Sequence, residues 1–169
     1  MNNLGVKIYA DGADLKEIIK MSEDNFIDGF TTNPTLMAKL GITDYLGFAK
    51  EVLSNVTEKS ISFEVFSDDL DEMLDQAYEI ASWHENINVK IPITNTKSEY
   101  TTRIIEKLNG ANIKCNITAL FTIEQIIRVL DIINDDTFTI ISIFAGRIAD
   151  SGIDPEKIIS ESVNLVKGK

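Results

Sequence analysis

The chain has 169 residues, 44% hydrophobic and 25% charged, which suits one soluble globular domain with a real core. A formal net charge of −11 disfavours nucleic acid and anionic lipid as partners, and leaves room for an anionic metabolite held by a local cluster of cations. One cysteine, Cys115, excludes an internal disulfide, which suits a reducing cytoplasm, and one histidine, His84, argues against a metal site built from His and Cys.

Short apolar runs alternate with longer amphipathic ones. Residues 6–10 (VKIYA) predict a first strand, and 14–23 a helix with Ile18, Ile19 and Met21 on one face and Asp14 and Glu17 at capping-box spacing. A second strand over 27–31 leads into 33–56, which reads as two helices broken near Gly41-Ile42-Thr43. Strand three (60–66) precedes a helix over 68–84 that carries Leu70, Met73, Leu74, Ala77 and Ile80 on one face. Strand four (87–93) precedes a helix over 97–108, and strand five (112–118) one over 122–133 opened by Thr122 and Gln125. Strand six spans 138–144, and Asp154 before Pro155 marks the start of a last helix running to Lys169. Trp83, Tyr78 and Phe48 read as packing residues, and His84 as a favourable residue at a helix end. The first residues do not read as a secretory leader, and no apolar stretch has the length of a membrane span.

Strand–helix alternation of this length predicts an α/β fold with a parallel sheet. An open doubly wound sheet and a (β/α)8 barrel both satisfy the pattern, and no Gly-rich phosphate loop follows the first strand. The count is six βα units, whereas a complete barrel has eight.

In either fold the C-terminal ends of parallel strands line the ligand site, and every strand here delivers a polar group there. These are Asp11, then Thr31, Thr32 and Asn33, then Glu64, Lys90, Asn116 with Thr118, and Ser142 with Arg147. Lys90 stands inside the apolar run Val89-Lys90-Ile91. A lysine turned into a barrel loses hydration, which frees its amine for attack on a carbonyl; one at a strand end can equally reach out to solvent. Glu64, inside SFEVF, needs a hydrogen-bonded partner, acid–base work or an exposed edge strand to account for it. Asp11 before Gly12 also fits a turn, Asn33 before Pro34 a helix cap, and Arg147 either a surface cation or a phosphate ligand.

Five segments, GFTTNPTL (29–36), FEV (63–65), NVKIPIT (88–94), CNITALFT (115–122) and SIFAGRIADSGIDP (142–155), together resemble the signatures of the transaldolases, in the family's order. The chain is most similar to the small transaldolases, a subfamily that also contains fructose-6-phosphate aldolases. The resemblance implies a (β/α)8 barrel, no cofactor, and pentose-phosphate-type chemistry on sugar phosphates in the cytoplasm by a homo-oligomer. It implies a Schiff base on Lys90, proton transfer at the C4 hydroxyl by Asp11, and a catalytic water held by Glu64 and Thr118. Substrate-binding roles fall to Thr32, Asn33, Asn116, Ser142 and Phe144, with Arg147 on the phosphate. The aldolases carry Gln where Glu64 stands and Tyr where Phe144 stands, so both positions favour transfer of a three-carbon unit over release of dihydroxyacetone. A dihydroxyacetone-releasing aldolase and a non-catalytic homologue are the alternatives. Residues 1–169 are expected to form one barrel domain without the family's last two βα units, whose seventh strand brings a further phosphate-binding segment.

Overall fold

The computed structural model describes residues 5–168. Its strands are β1 (Tyr9–Asp11), β2 (Gly29–Thr31), β3 (Ser60–Glu64), β4 (Ile87–Pro92), β5 (Cys115–Leu120) and β6 (Thr139–Ile143). Between them run α1 (Leu15–Ser22), α2 (Pro34–Lys39), α3 (Tyr45–Asn55), α4 (Leu70–Ser82), α5 (Thr102–Gly110) and α6 (Ile123–Leu130). After β6 come α7 (Ala145–Asp150) and α8 (Pro155–Lys167). All strand pairs are parallel and the spatial order is the sequence order, β1-β2-β3-β4-β5-β6. A doubly wound sheet reverses its strand order at a switch point. Here the order never reverses, and the six units curl as part of a (β/α)8 barrel.

The two faces of the sheet differ sharply. Side chains alternate along a strand, and register partners in neighbouring strands share a face. One face carries Ile61, Phe63, Val89, Ile91, Cys115 and Ile117, all at 0% exposure, in the core with the helices. Burying each large side chain of this set stabilises the fold by about 1.5–3 kcal/mol. The opposite face carries Ser62, Glu64, Asn88, Lys90, Asn116, Thr118 and Ser142. Barrel interiors are usually packed with branched aliphatics, so a polar interior on three successive strands marks this face as the site.

Caps follow the sequence closely. Asp14 accepts from the Glu17 amide, Thr122 and Gln125 form a complete capping box, and Asp154 caps α8 with Pro155 at its first turn. Several elements differ from expectation. β1 lies at Tyr9–Asp11, so Asp11 ends the strand. α5 starts at Thr102 because Asn95 Oδ1 accepts from the Lys97 and Glu99 amides and Thr94 bridges Tyr100, which folds 94–100 into a tight loop. β5 runs on to Leu120 through an irregularity after Ile117, where Ala119 adopts φ 59°. Arg147, expected in a loop, sits on the short helix α7. Tyr78, expected to pack, is 41% exposed on α4. His84 lies beyond the α4 cap, its Nδ1 2.8 Å from Asn86 Oδ1.

Candidate active site

Lys90 lies at the middle of the polar face. Register aligns it with Glu64 on β3 and Asn116 on β5. Its ammonium donates to the Thr32 carbonyl at 2.9 Å and lies 3.2 Å from Glu64 Oε2. Lys90 is only 7% exposed, so the open-solvent alternative for this lysine does not hold.

Burial holds the Glu64 carboxyl above the ordinary carboxylate range; the charge and hydrogen bond of Lys90 pull it back, and the charge of Asp11 pushes it up further. A carboxyl of this kind accepts a proton readily and sits within reach of the amine. Glu64 also lines a cleft of about 340 Å³ with Pro34, Pro92, Thr94 and Asp68. A larger cleft, about 520 Å³, runs between Ala13 and Phe48, but none of its lining residues belongs to the polar face.

Asn116 and Ser142 form a hydrogen-bonded chain beside the amine. Asn116 Nδ2 donates to Ser62 Oγ at 3.0 Å, and Ser142 Oγ donates to Asn116 Oδ1 at 2.7 Å. The amide of Asn116 is thereby fixed in orientation. Thr118 is 1% exposed, and its hydroxyl has no protein partner among the described residues. Asp11 is exposed at the end of β1 and accepts from Thr31 Oγ1 at 2.6 Å. Its register neighbours Thr31 and Ser62 place it on the polar face, with its charge felt at Glu64.

Other expected residues are placed differently. Thr32 has 0% exposure and turns its hydroxyl to the Ser62 carbonyl at 3.0 Å; what it offers the site is its backbone carbonyl, in place of a substrate-binding side chain. Asn33 caps α2, its Oδ1 accepting from the Thr35 and Leu36 amides. Phe144 packs edge-on against Phe121, with ring centroids 5.6 Å apart. Arg147 points outward, 75% exposed, with an ion pair to Asp150 at 3.6 Å, and makes no contact with Lys90.

Two polar residues of this face escaped the sequence reading. Ser62 ties Asn116 down, and its signal was the alternation Ser60-Ile61-Ser62-Phe63-Glu64. Asn88, two residues before Lys90, has 0% exposure and, among the described residues, no protein partner for either amide atom. A desolvated unpaired amide costs about 1–3 kcal/mol. Asn88→Leu is therefore expected to stabilise the protein by roughly that amount in urea unfolding; destabilisation of that size would show that the amide holds a bond outweighing its desolvation.

Among the described residues no group of three or more His, Cys, Asp or Glu side chains is placed to hold a metal ion, and no helix is long and apolar enough to cross a membrane. Cys115 is buried on the helix-facing side, its thiol pushed up to about 12 by desolvation.

Comparison with known proteins gives the same direction. The family model described as transaldolase/fructose-6-phosphate aldolase matches residues 8–168. A probable transaldolase of Dehalococcoides mccartyi is 36% identical over 162 residues, covering 96% of this chain and 71% of that protein. Probable transaldolases of Streptococcus pyogenes serotype M5 and Streptococcus equi subsp. zooepidemicus are 35% and 34% identical over 161 residues, again covering 95% of this chain and 71% of theirs. With six parallel βα units in barrel order and a buried lysine–glutamate pair on the polar face, the chain belongs to the transaldolase/fructose-6-phosphate aldolase family.

Proposed function

We propose that the protein is a transaldolase that moves a three-carbon dihydroxyacetone unit between sugar phosphates through a Schiff base on Lys90. One observation carries this reading: the Lys90 amine is buried on a polar face, 2.9 Å from a carbonyl and 3.2 Å from a carboxyl whose proton affinity is raised. Proton transfer from Lys90 to Glu64 leaves a free amine, which attacks the C2 carbonyl of a ketose phosphate. Glu64 and a water held by Thr118 then assist loss of hydroxide from the carbinolamine as water. The iminium accepts the electron pair of the C3–C4 bond as Asp11 takes the C4 hydroxyl proton, and an aldose phosphate leaves. The enamine adds to a second aldose phosphate, and hydrolysis returns Lys90.

Asn116, oriented by Ser62 and Ser142, holds the hydroxyls of the three-carbon unit in this scheme, and the amide nitrogen of Asn33 adds a donor. Phe144 walls the pocket beside Phe121. Arg147 binds the phosphate after exchanging its exposed partner Asp150. The same reading takes the protein as a cytoplasmic homo-oligomer working without a cofactor on soluble sugar phosphates.

Glu64 and Phe144, both of the transferase type in the sequence, favour transfer over release. Product analysis tests this directly. Fructose 6-phosphate with an aldose phosphate acceptor is expected to yield a new ketose phosphate, with little free dihydroxyacetone when the acceptor is left out. Dihydroxyacetone released at the same rate with and without acceptor would make the protein an aldolase.

A further inference from the structure

Tyr45 opens α3, far from the polar face in sequence, yet its hydroxyl donates to the backbone carbonyl of Glu64 at 3.0 Å. Glu64 is the last residue of β3, and β2 has already ended at Thr31, so this carbonyl stands at the strand end. Buried backbone carbonyls require a donor, and the Tyr45 hydroxyl supplies one. Thr32 and Glu64 are the two residues between which the Lys90 ammonium is held, one through its carbonyl and the other through its carboxyl.

The ring itself is fixed. It meets Phe63, Phe66 and Trp83 edge-on, at centroid distances of 5.8, 4.2 and 5.7 Å. Phe63 precedes Glu64 on the helix-facing side, so its edge contact with the Tyr45 ring sets where the Tyr45 hydroxyl can reach. A rigid ring with a directed hydroxyl fixes position better than a flexible side chain does.

We propose that Tyr45 is a positioning residue for the amine site: from behind the sheet it pins the end of β3 through the Glu64 carbonyl and so fixes the Glu64 carboxyl beside Lys90. It touches neither the amine nor a substrate, and its part in catalysis rests on the Schiff-base reading above. Small displacements of a reacting group cost large factors in rate, and removing this tie loosens Glu64, the carboxyl partner of the amine.

Tyr45→Phe keeps the ring and removes the hydroxyl. Trp83→Phe is the control, since it disturbs the same aromatic group without touching the Glu64 carbonyl. Two rates are measured on each full-length variant. The first is borohydride-trapped imine formation with fructose 6-phosphate. Tyr45→Phe is expected to lower its limiting rate about tenfold with little change in half-saturating concentration, because the amine is misplaced and the sugar contacts are not. The second is carbamylation of Lys90 by cyanate, read from the mass of the Lys90 peptide, which needs no sugar. It is expected to rise several-fold, because the amine is freed from its contact with Glu64. Trp83→Phe is expected to leave both rates near wild type. Tyr45→Phe matching Trp83→Phe in both rates would overturn the proposal. Absence of any trapped imine in the wild type, together with faster cyanate reaction in Tyr45→Phe, would retain the positioning role and refute the Schiff-base reading.

Discussion

Lys90→Met is expected to abolish borohydride trapping and to lower turnover by a factor on the order of 10³ or more, since the nucleophile of a covalent mechanism has no substitute. The change also leaves Glu64 without its cation. A buried carboxylate alone is costly, but a carboxyl already pushed toward its neutral form by burial can meet the loss by protonating. The variant should therefore fold, with a melting transition measurable beside the wild type. Steady-state assay and thermal unfolding on the same preparation separate loss of chemistry from loss of fold. Retained turnover in a folded Lys90→Met protein would place the nucleophile elsewhere.

Glu64→Gln is the second large effect. General acid–base assistance contributes about 10²–10⁴-fold, and Gln can hydrogen-bond the amine but cannot take its proton. Imine formation is expected to slow by a factor in that range. Stability should change with pH in a defined sense. The folded Glu64 carboxyl binds its proton more tightly than the unfolded one. Below the ordinary glutamate value both states are protonated and the effect vanishes. As pH rises through that value, the unfolded chain releases its proton first, so the folded state binds more protons and stability falls until Glu64 ionises in the fold as well. The wild type should lose stability relative to Glu64→Gln over that window. Urea unfolding of both proteins at a series of pH values checks the sign; a wild type that gains stability relative to the variant as pH rises would contradict it.

Much of this site is legible in the sequence because strand alternation writes it there. Ser62-Phe63-Glu64, Asn88-Val89-Lys90 and Asn116-Ile117-Thr118 each place polar residues one apart, and the apolar residues between them form the helix-facing layer. Spacing alone left barrel and doubly wound sheet undecided, because strand order is a tertiary fact; the unreversed order settles it. The positions that read differently are those where the backbone does the work. Thr32 was singled out as a side chain, but its hydroxyl bonds within the sheet and its carbonyl meets the amine. Tyr45 gave no signal, since in a helical pattern a tyrosine reads as packing, and only the fold brings its hydroxyl to the Glu64 carbonyl. Arg147 reads as either a surface cation or a phosphate ligand, because the short α7 that turns it outward to Asp150 is not legible in the sequence. The loop at 94–100 mimicked a helix start because its amide-capping Asn95 competes locally with helical hydrogen bonding.

The central claim is that the buried Lys90 amine, held at Glu64 and Thr32, is the group that forms the imine. Reduction of the wild-type protein with borohydride in the presence of fructose 6-phosphate, followed by peptide mass mapping, tests it most directly. A stable adduct on the peptide containing Lys90, absent without sugar, is the predicted result. No adduct, or an adduct confined to other lysines, would contradict it.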